Sequence, residues 1–115
     1  MKAPMDKPSL ILGPFHGKVA CQTIAFGRGV CGAAALTKKV QLVPDVDQFP
    51  GHIACDGASK SEIVVPIVVN RGESASEQLV AIIDIDCAVA QGFDEMDQDF
   101  LEQLANMLAD GCDWP

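Results

Sequence analysis

The sequence predicts a single α/β or α+β domain built on a mostly antiparallel sheet. Three observations predict it. Two apolar runs, 61–69 (SEIVVPIVV) and 79–85 (LVAIIDI), are joined by the polar stretch NRGESASE and read as strands of a hairpin. A looser alternation, KVACQTIAF at 18–26, reads as another strand. Near the C-terminus, Phe100, Leu104, Met107 and Leu108 recur at helical spacing. The length of 115 residues with 49% hydrophobic content suits one domain with one core.

Element by element, residues 1–17 hold Pro4, Pro8, Gly13, Pro14 and Gly17 and read as an irregular lead-in before the first strand. Gly27 and Gly29 bracket Arg28 in a tight turn. CGAAALTK, from Cys31 to Lys38, has the Ala and Leu density of a short helix, with Cys31 near its N-terminus. VQLV at 40–43 is a brief strand. Pro44–Lys60 reads as a long loop, of a length that is unusual inside a compact domain and often functional. Pro66 within the next strand suggests an edge or a bulge. Asp94 is a good N-cap for the last helix, with Asp97 three residues on, and Gly111 marks its end. No internal repeat or low-complexity segment interrupts this order.

Composition excludes some functions. The formal net charge is −8. Residues 1–60 carry seven Lys or Arg against four Asp, and residues 61–115 carry one Arg against twelve Asp or Glu. That lacks the basic footprint of a nucleic-acid binder. The start, MKAPMDKPSLILGPF, has only Leu10 to Leu12 in an apolar row, too short for a signal-peptide core or a membrane span. A cytoplasmic, reducing location is expected. Five cysteines, an odd number, argue against a secreted disulfide scaffold and for catalysis, metal binding or burial as small hydrophobes.

The chemistry-bearing residues form two groups. Cys21, Cys31 and Cys55 contain no CxxC, so a thioredoxin-like motif is absent. A thiol acts as its thiolate, and a helix N-terminus lowers a thiol pKa, which is the placement expected for Cys31. Cys55 lies in the polar loop HIACDG, where a charged His52 would favour its thiolate. Each cysteine alone reads first as a buried hydrophobe, except Cys55, whose polar loop is not a core stretch. The second group is acidic. Asp84 and Asp86 share one face of a strand by its period of two, and Glu62 opens the strand before it. Such acids either sit at a solvated strand end or gather to raise a carboxyl pKa or bind an amine. A zinc site from Cys21, Cys31, Cys55 and His52 lacks compact ligand spacing, so no metal and no cofactor is expected. Cys87 reads as structural. Cys112 and Trp114 fall in a frayed tail without a role.

Taken together, GKVAC, GRGVCG, PDVDQFPGHIACDGASKSEIVVPI and IDIDC resemble the free methionine-(R)-sulfoxide reductase family, whose members are GAF domains. The resemblance runs from about Gly13 to Leu108. It implies an α+β fold, a GAF-like antiparallel sheet flanked by helices. It divides the chain into a lead-in (1–12), a partial, C-terminal portion of a GAF domain (13–110) and a tail (111–115). The family's leading helix, first strands and substrate-closing aromatic residues are missing from this sequence, which has no Tyr. The stretch NRGESASEQLVA is longer than the family's usual turn.

The resemblance also implies the activity: reduction of free L-methionine (R)-sulfoxide to methionine. Cys55 is implied as nucleophile, Cys21 as a resolving cysteine and Cys31 as another, although some assignments in the family give the nucleophile role to the position of Cys31. Glu62, Asp84 and Asp86 are implied as substrate-binding acids, thioredoxin as the reductant, and a homodimer as the assembly. The alternative is a truncated GAF module that binds a small molecule or partner without turnover.

Overall fold

Alternation along one central strand decides the architecture. In a computed structural model, which describes residues 8–17, 22–50, 59–71 and 76–114, Ser61–Arg71 forms strand β4. It lies between β3 (Gln41–Val43) and β5 (Ser76–Cys87), antiparallel to both. Because successive side chains point to opposite faces, Glu62 and Val64 face one way, and Ile63, Val65 and Ile67 the other. All five are buried. Helices therefore cover both faces.

Helix α1 (Gly29–Thr37) covers the first face. Val30, Cys31 and Ala34 pack there with Val43, Val46 and Val64, joined by Leu10, Ile24, Phe49 and Ile82. Helix α2 (Glu95–Gly111) covers the second, where Ala105, Leu101 and Leu108 meet Ile63, Val65, Ile67, Val80 and Ile83. Each fully buried Val or Ile contributes about 1.5–3 kcal/mol relative to exposure.

Close approach of α1 depends on its small residues. Gly27, in the turn before it, has φ 90°, and Gly29, its first residue, has φ 63°, backbone that favours glycine. A Cβ on Gly32 would meet the Ala25 carbonyl oxygen at 2.7 Å, so the helix packs directly on β2 (Thr23–Ala25). Helix α2 begins as the sequence predicts. The Asp94 side chain accepts from the Asp97 N–H, and the Asp97 carboxylate accepts from the Asp94 N–H.

Several expectations change. Residues 9–11, expected within an irregular lead-in, form strand β1 (Ser9–Ile11), antiparallel to β2. The strand expected over 18–26 is limited to Thr23–Ala25 among the described residues. The Pro44–Lys60 loop contains a short 3-10 turn at Val46–Gln48, which buries Val46, and residues 51–58 lie outside the described residues. The hairpin strands extend further than the apolar runs suggest, through Arg71 and from Ser76.

Pro66 meets the edge setting on its β3 side, while the nearby bulge puts its extra residue, Val80, on β5. It lies two residues beyond Val64, the last β4 position paired with β3, and the register with β5 shifts beside it, between Ile67 and Val68. Trp114 is not frayed: it packs against the α2-side core, and its indole N–H donates to the Leu108 carbonyl at 3.1 Å. Of the predicted α2 stripe, Phe100, Leu104 and Met107 are exposed, and the residues that meet the sheet are Leu101, Ala105, Leu108 and Ala109. The helix is rotated by about one position from the expected face.

Candidate active site

Strand register brings the three acids together. Glu62 pairs with Asp86, and Val64 pairs with Asp84, so both aspartates share the α1-covered face with Glu62. Helix α1 delivers Cys31, its third residue, onto the same spot. The Cys31 thiol donates to Asp84 Oδ2 at 3.0 Å and lies 3.8 Å from Glu62 Oε2.

Burial grades the cluster. Glu62 is 6% exposed and Cys31 7% exposed, whereas Asp84 and Asp86 are exposed. The result is a deep end made of a thiol and a carboxyl, and a rim of two aspartates.

Electrostatics follow from that gradient. Burial, then the hydrogen bond with Asp84 and the charges of Asp84 and Asp86, push the Glu62 carboxyl up to about 10. The hydrogen bond from Cys31 opposes this without reversing it. Glu62 is therefore protonated at neutral pH, which spares the large cost of a buried, uncompensated charge. Burial likewise raises the Cys31 thiol far above its ordinary value, with Asp84 as the next cause and Glu62 and Asp86 behind it.

This overturns the expectation that the helix N-terminus would make Cys31 a thiolate. Its placement in the first turn of α1 is as predicted. A helix terminus is worth about 0.3–1 kcal/mol at most sites. Burial among three carboxyl groups outweighs it.

Cys31, Glu62 and Asp84 are thus assembled in one place, with Asp86 beside them. Cys21 and Cys55 lie outside the described residues, as does His52. One donor was missed in the sequence. Ser59, buried at the entrance to β4, donates its hydroxyl to Asp86 Oδ1 at 2.9 Å. Only the β4–β5 register reveals that partnership; a serine in ASKSE carries no signal of it.

Cys31 Sγ and carboxylate oxygens of Glu62 and Asp84 lie within 4.8 Å of one another, a spacing from which one small cation could be held. The geometry present is a hydrogen-bonded thiol and acid cluster. Cys87, expected to be structural, is half-buried against Gly92, where an added Cβ would meet its Sγ at 2.6 Å. Ser61 ties the same connection, donating to the Val89 carbonyl and accepting from the Gly92 N–H.

A GAF domain family model matches residues 5–111. The chain belongs to the GAF domain family. This GAF domain is 57% identical over 107 residues to the free methionine-R-sulfoxide reductase of Saccharomyces cerevisiae, covering 93% of the chain and 57% of the relative. It is 46% identical over 104 residues to the free methionine-R-sulfoxide reductase of Escherichia coli, covering 90% of the chain and 59% of the relative. Among solved structures it is similar to the free methionine-R-sulfoxide reductase of Neisseria meningitidis in complex with its substrate. That match has a TM-score of 0.78 and 42% identity, and covers 88% of this chain and 57% of that one. The chain thus spans less than two thirds of the length of these relatives. Among the described residues, no helix of the GAF domain is long and apolar enough to cross a membrane.

Proposed function

We propose that this GAF domain reduces free L-methionine (R)-sulfoxide to methionine by thiol chemistry at the Cys31–Glu62–Asp84–Asp86 cluster. The observation that carries the reading is a buried Glu62 carboxyl within reach of the Cys31 thiol, beside two exposed aspartates. The names of the S. cerevisiae and E. coli relatives support it.

Each part has a chemical task. The sulfoxide oxygen gains a proton as the S–O bond breaks, and Glu62 holds that proton at neutral pH. The exposed carboxylates of Asp84 and Asp86 suit the ammonium of a free amino acid. A backbone amide within a protein carries no such charge, which gives selectivity for the free form.

Cys55 is the proposed nucleophile. Its thiolate attacks the sulfoxide sulfur, the oxygen passes to cysteine, and methionine leaves with Cys55 as sulfenic acid. Cys21 or Cys31 then condenses with that sulfenic acid, releasing water and forming a disulfide. A dithiol partner, thioredoxin, restores both thiols by exchange. The raised pKa of Cys31 supports giving the attack to Cys55 rather than to Cys31. A cytoplasmic location and a homodimer complete the proposal.

The test is methionine production from the separate sulfoxide epimers with dithiothreitol or thioredoxin as reductant. Turnover of the R epimer, absent for the S epimer and abolished by Cys55→Ser, is expected. Binding of the R epimer with no turnover would favour a non-catalytic binding module.

A further inference from the structure

Beyond the acids themselves, one hydroxyl organises the rim of the site. Ser59 is 9% exposed and follows Cys55 by four residues in sequence. The next residue, Lys60, is held by the backbone at both its N–H and its carbonyl. The Lys60 N–H donates to the Cys87 carbonyl at 2.8 Å, and the Val46 N–H donates to the Lys60 carbonyl at 2.9 Å. The end of the loop is thereby stapled to β5 and to the 3-10 turn.

A serine has one hydroxyl hydrogen to give. Two acceptors are in reach: Asp86 Oδ1 at 2.9 Å and the Ser61 carbonyl at 3.5 Å. The shorter contact, to a carboxylate, is the stronger one. Donation to a carboxylate favours its charged form. Glu62 lies directly across the strand pair from Asp86 and keeps its proton. Of the two facing acids, the buried one touches the thiol and the exposed one holds the hydroxyl.

We infer that Ser59 is a positioning residue, which orients the Asp86 carboxylate to receive the ammonium of a free amino acid. This inference rests on the amino-acid substrate reading above. It goes further by dividing recognition at the rim from proton delivery at the deep end. A buried donor lost from a carboxylate weakens recognition of the amine and leaves the thiol chemistry in place.

The experiment compares wild type, Ser59→Ala and Ser59→Thr in steady-state kinetics with the R sulfoxide. It adds calorimetric affinities for L-methionine and for its analogue lacking the amino group. Thermal melting of each variant verifies folding. Ser59→Ala is expected to raise KM and weaken L-methionine about tenfold or more, the usual effect of losing a hydrogen bond to a charged group. Its kcat should stay close to wild type, its affinity for the amine-free analogue should be unchanged, and Ser59→Thr should restore the KM. Equal weakening of both ligands, a fall in kcat at constant KM, or no change in either quantity would overturn the role of Ser59. A folded wild type that binds neither sulfoxide nor methionine would instead overturn the amino-acid reading, and the inference with it. An active wild type with an indifferent Ser59→Ala would remove the inference alone.

Discussion

Glu62 is the residue to which the proposed chemistry gives the proton delivery, and its environment converts directly into a pH dependence. Its carboxyl rises from an ordinary 4.5 to about 10 in the folded chain. Between those values the folded state holds a proton that the unfolded state has released. Stability should therefore be fully present at acidic pH and decline as pH rises through that window. Glu62→Gln keeps a neutral side chain of similar shape and removes the titration. Denaturant melts across pH should show a shallower decline for the variant, while its activity falls by about a hundredfold or more through loss of the proton donor. The presence of acids at 62, 84 and 86 was legible in the sequence. So was the shared face of the two aspartates. What the sequence hid was the depth of each: one strand position separates a buried carboxyl from an exposed one only through what α1 covers. The same blindness affected Cys31, whose helix position was predictable and whose burial against Asp84 was not.

At the scale of elements, legibility tracked the strength of local chemistry. The α2 start was readable because Asp94 and Asp97 form a complete reciprocal cap from adjacent residues. The β4–β5 hairpin was readable because its apolar runs are long. Strand β1 was not, since its three residues follow a proline and owe their conformation to pairing with β2. The rotation of α2 was hidden for a related reason: Ala105, small and unremarkable in sequence, is the one residue of the helix that is buried. Small residues set the approach of α1 as well. Gly32→Ala places a Cβ 2.7 Å from the Ala25 carbonyl oxygen and 2.9 Å from the Gly27 nitrogen, both backbone atoms. The helix must shift, at a cost of about 1–3 kcal/mol. Thermal melting should show a drop of several degrees, and activity should fall with it because α1 carries Cys31. An unchanged melting temperature would mean that the packing of α1 on β2 is looser than described.

Across the whole molecule, one sheet serves two purposes on two faces. The face under α2 is apolar and holds the fold together. The face under α1 begins as core, at Val64 and Ile82, and becomes chemical toward the ends of β4 and β5, at Glu62, Asp84 and Asp86. The uneven charge of the sequence, acidic after residue 61, is partly the trace of this arrangement, because the acids of the site lie on the last two strands. The task proposed for this cluster is an oxygen transfer from free methionine sulfoxide to a cysteine of the same chain. A single-turnover reaction tests it most directly: fully reduced protein, no added reductant, the separate sulfoxide epimers, and quantitation of methionine together with peptide mapping of new disulfides. A single equivalent of methionine is expected from the R epimer alone, with a disulfide joining Cys55 to Cys21 or Cys31. Methionine from neither epimer, equal amounts from both, or release without oxidation of any of these cysteines would contradict it.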